Sequence, residues 1–246
     1  MEVLGATISW LTDPANWSGP GGIPVRLAEH LVLAIVSLLI ALAIALPVGL
    51  WTGHTRRGAT LAVNIANLGR ALPSLAVIGI VLPITAAIDP ELGFKVYPVV
   101  IAMVLLAIPP ILVNTNAGIT GVDAELVEAA EAMGMRGGQL VWRVEVPIAL
   151  PVILGGIRSA SAQIIATLTL GAIFAGPGLG RFLVEGIAQA DDGMVFGGVV
   201  LIAGLSLGSE ALFAGLGRVL VSPGLRSAAP DVPWSASDRT PRPEPA

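Results

Sequence analysis

Apolar residues in this chain come in long runs, not in alternation. Runs at about 27–51, 59–85, 96–114, 148–171 and 194–220 carry few charges. Each is close to or above the roughly 20 residues that a helix needs to cross a bilayer. The pattern therefore predicts an all-α integral membrane protein of five spans joined by short polar turns. One long polar interruption, residues 116–147, separates the third and fourth runs. Residues 1–26 are mixed and read as an exposed or interfacial lead-in, and 222–246 are rich in Pro, Ser and Arg without apolar periodicity, as in a disordered tail. The domain between them is 27–221.

The polar interruption has its own order. Asp123 can cap a short helix, with Glu125 in its first turn where the helix dipole favours negative charge. Leu126, Ala129, Ala130 and Met133 recur at helical spacing on one side, and Glu125, Glu128 and Glu131 lie towards another. Gly134 and the pair Gly137–Gly138 are expected to break the helix. A second short piece, Gln139 to Val146, should lead to Pro147 at the start of the next run. Two short helices around a glycine hinge, set between spans, would form a rigid knob on the membrane surface.

Polar residues inside the runs are few. The second contains Arg70 and Pro73, which predicts either one long kinked helix or two short segments, and the single kinked span is favoured. Pro109–Pro110 demands a kink in the third. Arg158 and Glu210 stand in the fourth and fifth. At 1.5 Å per residue, Arg70, Arg158 and Glu210 lie at a depth of about 15–17 Å, near mid-membrane. An isolated charge there costs at least ~2.5 kcal/mol, so Glu210 is expected to neutralise one arginine. His30 and His54 sit near span ends, where a solvated or interfacial role is the simpler reading. Gly204, Gly208, Ala211 and Gly215 make a small-residue face suited to close helix contact.

Two motifs fail on context. The glycine-rich stretch 171–180 is not followed by Gly-Lys-Ser/Thr and follows no strand, so it is not a phosphate loop. Gly204-Leu-Ser-Leu-Gly208 matches a hydrolase nucleophile elbow, but it lies in an apolar helix with both histidines far upstream.

Composition sharpens the class. Of 246 residues, 54 % are hydrophobic and 12 % charged, with a mean hydropathy of +0.85, whereas a soluble domain has about 25 % charged residues. No cysteine is present, which excludes disulfides, thiolate metal sites and cysteine nucleophiles. The net charge of −4 and the absence of a basic patch argue against nucleic acid. No metal or other cofactor is expected, and no cleavable signal peptide is apparent.

Glu128-Ala129-Ala130, three residues, Gly134, nine residues, then Val144-x-Val146-Pro147 resembles the EAA motif of ATP-binding-cassette importer permeases. Val144 replaces the usual Ile and Val146 the usual Leu. Similarity extends over roughly residues 27–220, in particular to the glycine betaine/choline/carnitine (osmoprotectant) subgroup. Arg70–Ala76, Asn114–Ile119, Gly134-Met135, Ile157–Ala160, the 176–180 turn and Gly186 fit that subgroup. The resemblance implies the five-helix, MetI-like core of binding-protein-dependent importers. It implies that Glu128, Ala129, Ala130, Gly134 and Pro147 belong to a coupling loop docked in a cleft of a separate ATPase subunit. It also implies a second permease subunit, identical or related, and an extracytoplasmic solute-binding protein, with ATP hydrolysis outside this chain. A secondary, ion-coupled transporter of a small polar solute is the alternative. Such proteins lean on intramembrane carboxylates and repeats, and here Glu210 is the sole acid well inside a span.

Charge orients the spans. Arg56, Arg57, Arg136, Arg143, Arg218, Arg226, Arg239 and Arg242 fall on one side, against Arg26, Lys95 and Arg181 on the other. The arginine-rich side should be cytoplasmic, which puts the N-terminus outside and the C-terminus inside the cell membrane. Reporter fusions after residues 90, 140, 185 and 246 are expected to read out, in, out and in; any other alternation refutes the orientation.

Overall fold

In lipid the backbone finds no solvent partner, so each apolar run must satisfy its own N–H and C=O groups as a helix. The computed structural model describes residues 2–60, 63–64 and 73–222, and every regular element among them is helical. These are α1 (Glu2–Thr12), α2 (Ile23–Thr55), α3 (Ser74–Ile88), α4 (Leu92–Lys95) and α5 (Tyr97–Thr120). After them come α6 (Ala124–Ala132), α7 (Gly137–Leu140), α8 (Val146–Thr167), α9 (Gly180–Gln189) and α10 (Asp192–Leu220). A π turn, Val141–Glu145, joins α7 to α8, and a 3-10 stretch, Leu168–Phe174, extends α8.

Four helical segments among the described residues are long and apolar enough to cross a membrane: Ile23–Thr55, Leu92–Thr120, Gly137–Phe174 and Asp192–Leu220. The second predicted span is represented by α3, only 15 residues long. Arg70 lies outside the described residues, as do 61–62, the rest of 65–72 and the tail from 223. The favoured unbroken helix through Pro73 is not what forms. Pro73 is extended (φ −60°, ψ 122°) and stands as the N-cap of α3. A proline has no N–H to continue a helix through itself, and it suits the start of one. The Pro109–Pro110 pair, by contrast, lies inside the continuous helix α5.

Pairs of touching residues give the directions of the helices. Gly49 of α2 lies against Thr115 of α5, and Gly53 against Ile119, so these two helices run parallel. Gly118 meets Ala149, and Gly156 meets Asn114, so α8 runs antiparallel to α5. Ser161 meets Ser209 and Arg158 meets Glu210 across α8 and α10, so these two are antiparallel too. The core between α2, α3, α5 and α8 is made of Leu33, Ala41, Ala45, Ile78, Met103, Ala107, Ile111 and Ile164.

A second cluster, Ile23, Leu179 and Phe182, ties the start of α2 to α9, with Trp10 and Leu27 packed on it. The lead-in therefore has structure: the Trp10 ring meets Phe182 edge-on at 5.0 Å and covers Gly197 of α10. His30 is wholly buried, and its Nε2 donates to the Ile165 carbonyl at 3.0 Å. That replaces the solvated role its place near a span end suggested. The turn from 176 to 180, which leads into α9, folds over the first turns of α2, with Gly178 N–H donating to Glu29 at 2.9 Å, so the span end is roofed.

A Cβ at Gly49 would lie 2.7 Å from the Thr115 Cβ, and one at Gly53 would lie 2.7 Å from the Ile119 Cβ. Gly53→Val is therefore expected to overpack the α2–α5 contact and lower stability by about 1–3 kcal/mol. Gly155→Ala, where the new methyl meets nothing within 4 Å, should stay within about 0.5 kcal/mol of the parent. Thermal unfolding of the detergent-solubilised protein reads both.

Candidate functional site

The polar interruption folds as a capped helix standing clear of the bundle. Asp123 Oδ1 accepts from Glu125 N–H at 2.9 Å and starts α6. At its end, Gly134 N–H donates to Glu131 O at 2.8 Å and Met135 N–H to Ala130 O at 3.2 Å. This pair of bonds is a Schellman motif, which requires a left-handed residue between helix and exit. Gly134 supplies it with φ +84°, and no atom lies within 4 Å of where its Cβ would be. The glycine is there for its backbone, not for room.

Burial divides the α6 residues. Ala130 is buried and Val127 half-buried, and α6 packs on α7 and the π turn. Leu126 and Met133 are 52 % and 75 % exposed, and Ala129 and Glu128 are exposed beside them. Leu126, Ala129 and Met133, at helical spacing, thus make an apolar strip facing away from the chain, with the carboxylates of Glu125, Glu128 and Glu131 around it.

Beyond Gly134 the expectation of a break at Gly137–Gly138 and a fresh start at Pro147 needs correction. Gly137 and Gly138 open α7, where Arg136 N–H donates to Gln139 Oε1 at 3.0 Å. From Gly137 to Phe174 the chain is one helical segment of 38 residues. The π turn closes with Val146 N–H on Val141 O, and Pro147 follows inside α8. A wide turn shifts the hydrogen-bond register just where the proline lacks a donor.

The same turn brings in Glu145, which sequence reasoning passed over, and pairs it with His54, which the sequence placed in a solvated or interfacial role. Glu145 is 5 % exposed, and its Oε2 accepts from His54 Nδ1, at the end of α2, at 2.9 Å. The two are 91 residues apart in sequence, and no local pattern marks them. Before the knob, Asn116 Nδ2 donates to Thr52 Oγ1 at 3.0 Å in a buried position. Beside them Leu46, Leu50, Trp51, Val141 and Trp142 line an open apolar groove of about 710 Å³.

Within the span region, Arg158 of α8 pairs with Glu210 of α10 through both Nε and Nη2. The side chains are 48 % and 30 % exposed in the single chain. Arg70, the third charge in this set, lies outside the described residues. Among the described residues Gly204 and Gly208 do not make close helix contacts, since nothing lies within 4 Å of where a Cβ would stand on either. With Ser161, Ser209 and Leu38 they line a crevice of about 340 Å³ between α2, α8 and α10.

Long apolar helices, a helical knob between two of them and a charged pair at mid-span define a multi-pass membrane transport protein. Its family model is that of the "binding-protein-dependent transport system inner membrane component", which matches residues 45–226, and the chain belongs to this family as a permease subunit. It is 29 % identical over 206 residues to the glycine betaine/carnitine/choline transport system permease protein OpuCB of Bacillus subtilis, covering 84 % of this chain and 92 % of that one. It is 33 % identical over 198 residues to the osmoprotectant import permease protein OsmW of Salmonella typhimurium, covering 80 % and 91 %. In fold it is similar to a chain of the MetNI methionine ABC transporter in an inward-facing conformation, with a TM-score of 0.71 at 22 % identity, covering 86 % and 100 %.

Removing the carboxylate of Glu210 leaves the Arg158 guanidinium without its partner near mid-bilayer. Glu210→Ala is expected to cost about 2.5 kcal/mol or more, and the exchanged pair Arg158→Glu/Glu210→Arg to recover much of the loss. Unfolding midpoints in lipid nanodiscs distinguish this from a neutral effect of both.

Proposed function

We propose that this chain is the membrane-spanning subunit of an ATP-driven importer of osmoprotectants such as glycine betaine, choline or carnitine. The solute class rests on the names of the relatives and on the subgroup motifs. Hydrolysis takes place in a separate ATPase subunit, and solute arrives from an extracytoplasmic binding protein. A second permease subunit, identical or related, completes the path. The chain sits in the cell membrane with its N-terminus outside and the knob inside, where arginines outnumber those of the other face.

One observation carries the reading: α6 stands clear of the bundle with Leu126, Ala129 and Met133 exposed. An apolar strip on an exposed helix, rimmed by carboxylates, is a helix-in-groove ligand for another protein. Glu128, Ala129 and Ala130 build that helix, Gly134 ends it, and Pro147 lies where the chain rejoins the bundle. Closing and opening of an ATPase cleft would move α6, and with it α5 and α8 on either side. The ion-coupled alternative would need a carboxylate free to bind its ion, and Glu210 is engaged by Arg158. Solute selection falls to the binding protein, since the tryptophans lie at span ends, in the knob or in the terminal segments, where interfacial anchoring is the simpler role.

Co-purification with an ATPase and ATP-dependent uptake of glycine betaine into proteoliposomes test the whole reading. Gly134→Asp forces a side chain into the left-handed region at about 1–2 kcal/mol. It is expected to insert normally, keep ATP hydrolysis and lose most uptake, as is Glu128→Lys. Full uptake by Gly134→Asp would count against the coupling role.

A further inference from the structure

The knob is fastened on both sides, and both fastenings reach the last turns of α2. On the α5 side Asn116 bonds Thr52. On the α8 side His54 Nδ1–H donates to Glu145. The Glu145 side chain is 6 % exposed and that of His54 27 %. Gly137 backs the imidazole so closely that a Cβ there would lie 3.3 Å from Nε2.

The coupling motif does not account for this second fastening. Glu128 to Gly134 shape the knob, whose helix packs on α7 and the π turn, whereas the bond to the end of α2 is made by Glu145. Glu145 stands at the last position of the π turn. Such wide turns are rare, and they recur at functional sites. A buried carboxylate that lost its donor would be left unsatisfied, so the contact and the turn hold each other in register.

We propose that His54 and Glu145 are positioning residues for energy coupling: their contact makes the knob and the inner end of α2 move as one body. Displacement of α6 then reaches the first span directly, besides α5 and α8. Without the contact, residues 141–145 can change register and absorb the displacement. The proposal rests on the permease reading above.

The test uses the full chain, assembled with its ATPase and binding protein in proteoliposomes, and reads solute taken up per ATP hydrolysed. His54→Ala and Glu145→Gln are expected to assemble and hydrolyse ATP but to lose about tenfold in this ratio. His54→Asn, whose amide N–H stands where Nδ1–H does, should keep most of it. Because the chain has no cysteine, His54→Cys/Glu145→Cys carries the sole pair of thiols. Bridging them with a short bifunctional reagent should recover the ratio that the unbridged pair has lost. A purely structural contact would lower yield and leave the ratio unchanged, so full coupling in both single variants overturns the proposal. So does a bridge that recovers nothing, and this comparison decides if His54→Ala does not assemble. Should the parent chain fail to bind the ATPase, the permease reading falls first. Should the parent couple and the variants couple equally, only the joint falls.

Discussion

The close approach of α2 to α5 is the contact on which the remaining arrangement depends. Lipid is as apolar as leucine, so helices within a bilayer gain little by hiding apolar surface from it and must be held by packing and hydrogen bonds. Ser37, Ala41, Ala45, Gly49 and Gly53 follow one another every four residues on α2, and all are buried. Nothing on that edge is larger than a hydroxymethyl group, so α5 can lie against the backbone itself. At that distance Thr52 reaches Asn116. Once α5 is placed, its Gly118 and the facing Gly156 bring α8 alongside. The ends of α5 and α8 that carry the knob are thereby set against the end of α2.

The knob itself owes little to tertiary packing. Asp123 begins α6, the Schellman bonds around Gly134 end it, and Gln139 starts the next turn. Caps of this kind satisfy orphan backbone groups locally, which leaves the outer side chains free of structural duty. A surface helix can then afford to expose Leu126 and Met133. Shape comes from the chain's own termini and turns, and the outer face is available to something else.

Much of this was legible in the residues, for identifiable reasons. Long apolar runs, Asp123 as a cap and Gly134 as a helix stop are local signals, and the structure places the cap, the stop and four of the five runs as read. That Glu210 pairs with an arginine followed from the cost of charge at depth, not from spacing, and the structure gives Arg158 as the partner. What escaped was non-local. His54 and Glu145 come together through a parallel α2–α5 contact and a π turn, and neither has a sequence signature. His30 looked like a span-end residue because the 176–180 turn that covers it is remote in sequence. The Ser37–Gly53 column was written in the sequence, whereas the more visible column at Gly204 and Gly208 stays open within the chain. Spacing alone cannot tell a filled small-residue face from an empty one. Pro147 was read as a boundary because a proline usually is one, yet a register shift one turn earlier lets the helix pass through it.

Trp10 adds an order of events. Its ring is seated on Gly197 and against Phe182, residues of α10 and α9. Among the described elements α1 is synthesised before all others, and α10 after all others. The notch that receives the tryptophan does not exist until α10 has been made and placed, so α1 must wait, undocked, through the insertion of the elements between. Among the described elements its docking is a closing step of assembly, in which α1 is sealed onto α10 and α9.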